Sequence, residues 1–177
     1  MTTMRARVAV ILTVVVALSA SACSSAIAPA TWATSVCQAL TPWRAQITSL
    51  NRNAQTEMAS TRTPADTRAH LLSLLSGAEK ATETARAAVA AAGVPDVDGG
   101  AVIAKRFVTA LATVRDAYQH AETTIDGLPT TDASAFYDAV GTAMTKLNTD
   151  YANSGVDTTQ LASVDLQQDF AKVAACR

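Results

Sequence analysis

Apolar residues recur at spacings of three and four along most of the chain after residue 30. This spacing is typical of one face of an α-helix, whereas a half-buried strand would alternate polar and apolar residues. Sustained alternation does not occur in the sequence. Four long segments carry the helical pattern and a shorter one follows them, so the sequence predicts an all-α domain.

The first helical segment runs from about Thr31 to Ser60 and contains the pair Thr41-Pro42. Proline inside a helix removes a hydrogen bond and clashes with the preceding turn. We therefore expect a short helix to about Leu40, followed by a kink or a new helix start that Thr41 caps. The predicted apolar face consists of Val36, Leu40, Trp43, Ile47, Leu50, Ala54 and Met58.

The second and third segments are separated by the loop GVPDVDGG, residues 93–100. Thr63 followed by Pro64 predicts a helix start, and Gly93 predicts its end. The third helix is expected from about Ala101 to Ile125. The predicted core positions are Leu71, Leu75, Ala78, Thr82, Ala85, Val89 and Ala92 in the second helix, and Ile103, Phe107, Leu111, Val114, Tyr118, Ala121 and Ile125 in the third.

The fourth helix is expected to begin at Thr131-Asp132 and to end at Ser154-Gly155. A last amphipathic segment covers about Thr159 to Cys176. Their predicted apolar faces are Phe136, Val140, Met144, Leu147 and Tyr151 in the fourth helix, and Leu161, Leu166, Phe170 and Val173 in the last segment.

The N-terminus has the order of a secretory leader. Arg5 and Arg7 precede an apolar run over residues 8–18, and small residues follow up to Ala22. A helix of about 11 residues is far shorter than the ~30 Å hydrocarbon core of a bilayer, so we do not expect a permanent transmembrane helix.

Residues 20–23, Ala-Ser-Ala-Cys, resemble the lipobox of bacterial lipoproteins. The resemblance implies that residues 1–22 form a lipoprotein signal peptide and that Cys23 carries the lipid. Residues 23–30 would then form a short tether, and residues 31–177 the helical bundle domain. Ala20 stands where that family usually has Leu, Val or Ile. Ordinary secretion, with cleavage after Ala22 or Ala28, therefore stays open as an alternative.

The chain has three cysteines, and an odd number of thiols in a secreted protein needs an explanation. Lipidation of Cys23 accounts for one of them and leaves Cys37 and Cys176 to form a disulfide in an oxidising compartment. The alternative is two unrelated buried thiols. A disulfide would place both chain ends at the same end of the bundle. That condition favours an antiparallel bundle of four long helices plus a short C-terminal docking helix.

The mature part of the chain also resembles small secreted lipoproteins of actinobacteria. The resemblance implies a location in the cell envelope and a helical domain closed by a disulfide, and it implies no reaction. The features that carry it are Trp32 followed by Cys37, Trp43, the loop Gly93–Asp96 with Gly100, and the terminal Ala174–Cys176.

Charge argues against nucleic acid as a partner. The chain has 14 basic and 15 acidic residues, two of the basic ones lie in the leader, and Lys and Arg do not cluster after it. Phosphate backbones and anionic headgroups both require a basic surface. We therefore expect no binding of nucleic acid and attachment to the membrane only through the N-terminal lipid.

Signatures of catalytic and metal sites are also missing from the sequence. The two pairs Asp66/His70 and Asp116/His120 have helical i, i+4 spacing, and four such ligands could hold a metal ion. Each histidine precedes an apolar-face position, however, so we expect these side chains to be solvated. Trp32 and Trp43 could stack on a sugar, but we expect them to fill the core. We expect no catalytic residues, no metal and no cofactor.

These observations predict a non-enzymatic protein that is anchored by a lipid on the extracytoplasmic face of the cell membrane. It would bind a protein partner or a component of the envelope. One alternative is a carrier of an apolar ligand in a cavity between the helices. A less favoured alternative is a metal-binding protein that uses the His/Asp pairs.

Overall fold

A computed structural model describes residues 27–61, 63–155 and 164–176. The predicted all-α fold is confirmed, with four long antiparallel helices and a short C-terminal helix. The predicted leader, the lipid site Cys23 and Leu161 lie outside the described residues. The helices are α1 (Pro29–Ser60), α2 (Pro64–Ala91), α3 (Gly100–Asp126), α4 (Ala133–Ala152) and α5 (Val164–Lys172), and a 3-10 turn follows at Ala174–Cys176.

The extent of contact differs strongly from one pair of helices to another. α2 contacts both α1 and α3, with its most extensive contact against α3, and α4 packs mainly against α3 and also touches α2. α5 and the 3-10 turn pack on α1, while α1 and α4 make almost no contact within the described ranges. Of the helices in these ranges, none has both the length and the apolar character needed to cross a membrane.

The predicted new helix start at Thr41-Pro42 is wrong, because α1 is one continuous helix from Pro29 to Ser60. The alternative, a kink at Pro42 within that helix, stays a prediction. The Thr41 hydroxyl does not cap a new helix; it lies 2.9 Å from the carbonyl oxygen of Cys37 and 3.0 Å from that of Ala175. Large apolar side chains are buried on both sides of the proline, each contributing about 1.5–3 kcal/mol, which offsets a proline cost of about 3 kcal/mol. They are Trp32, Val36, Leu40 and Trp43.

The predicted helix starts are confirmed by their caps. The Thr63 hydroxyl accepts a hydrogen bond from the backbone N–H of Asp66, and the Asp132 carboxylate accepts one from that of Ala135. Gly93, just after α2, has φ +77°, a left-handed conformation that glycine adopts without strain. The sequence therefore specified where these helices begin and end.

The segment before α1 is fixed to the loop between α2 and α3. The N–H of Ile27 donates to the carbonyl of Val94 at 2.9 Å, and the N–H of Asp96 donates to the carbonyl of Ile27 at 2.8 Å. The indole N–H of Trp32 donates to the carbonyl of Gly93 at 3.0 Å. Ile27, which lies in the predicted tether of residues 23–30, is thus held against the bundle.

The predicted disulfide is confirmed and closes the same end of the bundle. Cys37 and Cys176 are bonded, with their Cα atoms 5.1 Å apart. Next to them Trp32, which is completely buried, makes edge-to-face contacts with Phe107 and Phe170 at centroid distances of 5.5 and 5.9 Å. We call the region that these five residues form the closed end of the bundle.

A second cluster of apolar side chains lies farther from the closed end, between α2, α3 and α4. Beyond Trp43, the apolar face of α1 is only half-buried, so the rest of α1 covers α2 incompletely. The second cluster consists of Leu71, Leu75, Ala117, Ala121, Ile125, Ala143 and Leu147.

One buried polar contact joins α1 to α2. The indole N–H of Trp43 donates to the hydroxyl of Thr82 at 3.0 Å, and that hydroxyl donates to the carbonyl of Ala78 at 2.7 Å. Thr82 is fully buried and Trp43 is nearly so. Since Trp32 is also completely buried, the core role expected for both tryptophans is confirmed. Because the Thr82 hydroxyl accepts a hydrogen bond from the indole N–H, it offsets the free-energy cost of burying that N–H group.

We expect Thr82→Val to lower the free energy of unfolding by about 1–3 kcal/mol, because the Trp43 indole would lose its buried acceptor. Thr84→Val is the matched control. The Thr84 hydroxyl also bonds a carbonyl one turn earlier, but it is exposed, so its loss should change stability by less than about 0.5 kcal/mol. Urea denaturation followed by circular dichroism measures both values, and equal effects of the two substitutions would contradict the role of Thr82.

Candidate functional site

The gap between α1 and α4 forms a cleft of about 290 Å³, which we call the α1–α4 cleft. α2 and α3 form its floor, because α1 packs mainly on α2 and α4 mainly on α3, and these two outer helices barely touch each other within the described ranges. Most of the lining is apolar. The lining residues are Ile47, Leu50 and Asn51 of α1, Leu74, Leu75 and Ala78 of α2, Tyr118 of α3, and Met144, Leu147, Asn148 and Tyr151 of α4.

Four uncharged polar side chains interrupt the apolar lining: Asn51, Tyr118, Asn148 and Tyr151. Tyr118 is half-buried, whereas the other three are exposed at the mouth. None of the four makes a side-chain hydrogen bond to another residue in the part of the chain that the structure describes. Their hydroxyl and amide groups therefore face the space of the cleft or its solvent with their bonding capacity intact.

The Tyr118 phenol is the titratable group deepest in this cleft. Burial raises its pKa from 10 to about 12 because the phenolate would lose hydration, and the nearby Tyr151 adds to the rise. The phenol consequently keeps its proton at neutral pH. At that pH it can both donate and accept a hydrogen bond.

A second groove, of about 360 Å³, lies between α3 and α4 on another face. Its base is formed by small side chains such as Ala117, Ala121 and Ala143. Lys146 and Asp150 lie at its edge and form an ion pair with each other at 2.7 Å. The charged residues near α4 are thus on the wall of this groove and do not line the α1–α4 cleft.

The residues considered as metal ligands have other partners. The His70 Nδ1 atom lies 3.0 Å from the Glu57 carboxylate, Asp66 accepts a hydrogen bond from Thr63, and Asp116 pairs with Arg115. His120 is exposed beside the α3–α4 groove. Within the described ranges, no three His, Cys, Asp or Glu side chains are grouped so that they could hold a metal ion.

A charged cluster that the sequence analysis did not identify connects α2 to α3. The Glu83 carboxylate accepts hydrogen bonds from Arg86 at 2.6 Å and from Arg115 at 2.8 Å. These two contacts lower the pKa of Glu83 from 4.5 to about 2. The stabilisation they provide is therefore present above about pH 4.5 and is lost as the pH falls through about 2. The side chains are half-buried and their charges offset one another, so the cluster is a contact between helices at the surface.

The structure brings Cys37 and Cys176 together, whereas Cys23 lies outside the described residues. It also buries Trp32 and Trp43, so neither indole face is available to stack on a sugar.

Tyr118, Met144 and Leu147 were predicted as core residues. The helical pattern could not have shown that they line a cleft, because an apolar face looks the same in sequence whether or not a neighbouring helix covers it.

Comparison of the chain with protein-family models, with curated proteins and with solved structures finds no match. The α1–α4 cleft is accordingly interpreted from its own geometry and chemistry.

We expect one of the three tyrosines of the chain to ionise near pH 12. Since the folded-state pKa of Tyr118 lies above the ordinary value of 10, the neutral phenol stabilises the fold below about pH 10, and this contribution is lost as the pH rises through about 12. Phenolate absorbance during an alkaline titration measures the ionisation. Tyr118→Phe should remove the late phase, and Tyr137→Phe should retain it; a late phase that persists in Tyr118→Phe would contradict the assignment.

Proposed function

We propose that the protein is a non-enzymatic binding protein, attached by a lipid on Cys23 to the outer face of the cytoplasmic membrane. In this proposal it binds an apolar component of the cell envelope in the α1–α4 cleft. The observation that carries the proposal is the open, largely apolar space between two helices that are otherwise part of a packed bundle. Of the expected functions, this geometry favours the carrier of an apolar ligand.

The dimensions and lining of the cleft support this class of ligand. Its volume of about 290 Å³ is at the lower end of the range for small-molecule sites and about twice that of a cavity that holds benzene. The half-buried side chains of Leu50, Leu74 and Met144 offer apolar surface to a ligand from three different helices. Burial of a ligand's hydrocarbon against these side chains would supply the main driving force for binding.

The side chains of the cleft support binding rather than catalysis. Its polar groups are two phenols and two amides, and the Tyr118 phenol keeps its proton at neutral pH because its pKa is about 12. General acid–base catalysis is most efficient when the pKa of the catalytic group lies near the working pH. These groups are better suited to orient a ligand through hydrogen bonds.

We expect a small uncharged dye whose emission depends on the polarity of its surroundings, 1-naphthylamine, to bind with a stoichiometry of about one. Leu50→Trp should weaken dye binding at least tenfold because the larger side chain occupies the cleft. Ser49→Trp adds the same side chain to an exposed position of α1 and should leave binding unchanged. Fluorescence titration measures each affinity. Equal binding to both variants, or no binding to the unmodified protein, would refute the cleft as the ligand site.

The proposed anchor also sets the orientation of the bundle. Only residues 24–26 separate Cys23 from Ile27, whose backbone is hydrogen-bonded to the loop between α2 and α3. Four Cα–Cα steps of 3.8 Å reach about 15 Å at most, so a lipid on Cys23 would keep the closed end close to the membrane. Ala78 lies 13 residues before the end of α2, so the cleft lies about 20 Å along this helix from the closed end.

We expect the mature protein to begin at Cys23 and to carry the mass of a diacylglycerol with attached acyl chains. Cys23→Ser should lose this mass and move the protein from the membrane fraction to the soluble fraction, whereas Ser24→Ala should behave as the unmodified protein. Intact-mass spectrometry together with cell fractionation measures both properties. An unacylated mature N-terminus after Ala22 or Ala28 would contradict the anchor and would leave the proposal for the cleft standing.

A further inference from the structure

The polar groups of the α1–α4 cleft are uncharged, and this property restricts the ligands that fit the site. Two phenols and two amides lie around an apolar floor, and among the residues that the structure describes no Lys, Arg, His, Asp or Glu lines the cleft. Lys146 and Asp150 of α4 form an ion pair on the wall of the other groove. A carboxylate or ammonium group that enters the cleft would therefore lose hydration without gaining a counter-charge.

We propose that the cleft prefers a single-chain amphiphile with an uncharged head group that both donates and accepts hydrogen bonds, such as an alcohol or a primary amide. Tyr118 determines this preference by bonding the head group. The inference rests on the proposed function, because it concerns the ligand class of the same cleft. It goes further in assigning the chemistry of the head group and the residue that recognises it.

Hydrogen-bond capacity supports this choice of head group. A phenol hydroxyl and an Asn amide can each donate and accept, so a head group with both capacities can be satisfied by neighbours of the same kind. The Tyr118 hydroxyl has no side-chain or backbone partner within the described part of the chain. A ligand that fills the apolar part of the cleft would remove water from this hydroxyl, which would then require a partner on the ligand.

The size of the cleft limits the apolar part of the ligand. A cavity of about 150 Å³ holds one benzene, so about 290 Å³ corresponds to roughly twelve non-hydrogen atoms. Nine-carbon compounds with one head group have ten or eleven. The alcohol and the ammonium compound share the same alkyl chain, and so do the amide and the carboxylate, so each of these pairs probes head-group preference at constant apolar area.

Binding can be followed at Met144, whose side chain lines the cleft. Met58, which does not line it, serves as an internal control in the same methyl NMR spectrum of the methyl-labelled protein. At pH 7 we expect 1-nonanol and nonanamide to shift the Met144 methyl signal with at least tenfold higher affinity than nonanoate and nonylammonium. Equal affinities for all four head groups would overturn this inference and leave the proposed function intact, whereas no shift with any of them would contradict both.

Tyr118→Phe tests the assigned residue. We expect the affinity for 1-nonanol to fall about fivefold to tenfold, the value of one net hydrogen bond, and the affinity for propylbenzene, which has no polar head, to stay within twofold. Tyr137→Phe is the matched control, because Tyr137 does not line the cleft. Equal losses of affinity for both ligands would mean that Tyr118 only forms part of the cleft wall. Unchanged affinity for both would mean that its hydroxyl bonds no head group. Either result would refute the assignment.

Discussion

The burial of the first four turns of α1 is the constraint on which the rest of the structure depends. Trp32 contacts Phe107 of α3 and Phe170 of α5, and its indole N–H is bonded to the loop that follows α2. One side chain thus joins three helices and a loop. The disulfide between Cys37 and Cys176 fixes the C-terminal turn to the same part of α1. In the chain-entropy model such a long closed loop stabilises a fold by about 5 kcal/mol at most, an effect comparable with the net stability of many domains.

This closed end allows the other half of the bundle to remain open. Beyond Trp43, α1 is held mainly by its contact with α2, and α4 is held mainly by its contact with α3. The half-buried side chains of Ile47 and Leu50 on α1 and of Met144 on α4 line the cleft, and they leave it open above Ala78. The cleft is therefore a consequence of where the strongest contacts lie, and the proposed binding function uses the surface that they leave uncovered.

Much of the fold could be predicted from the sequence because the responsible interactions are local or covalent. Helical spacing, the caps at Thr63 and Asp132, and the number of cysteines each depend on a few neighbouring residues or on simple chemistry. The continuity of α1 through Pro42 could not be predicted in this way, since tertiary burial overrides a local cost. The pairing of Ile27 with the loop and the opening between α1 and α4 depend on how distant segments pack, which apolar periodicity does not specify.

The cross-link between Cys37 and Cys176 also affects what a protease can do to the molecule. The bond joins positions separated by 139 residues, so a single cut at any peptide bond between them produces two pieces that remain covalently connected. Such a nicked molecule keeps its mass except for one added water, and it separates only after reduction of the disulfide. With the proposed lipid on Cys23, on the N-terminal side of Cys37, both pieces would be retained at the cell surface.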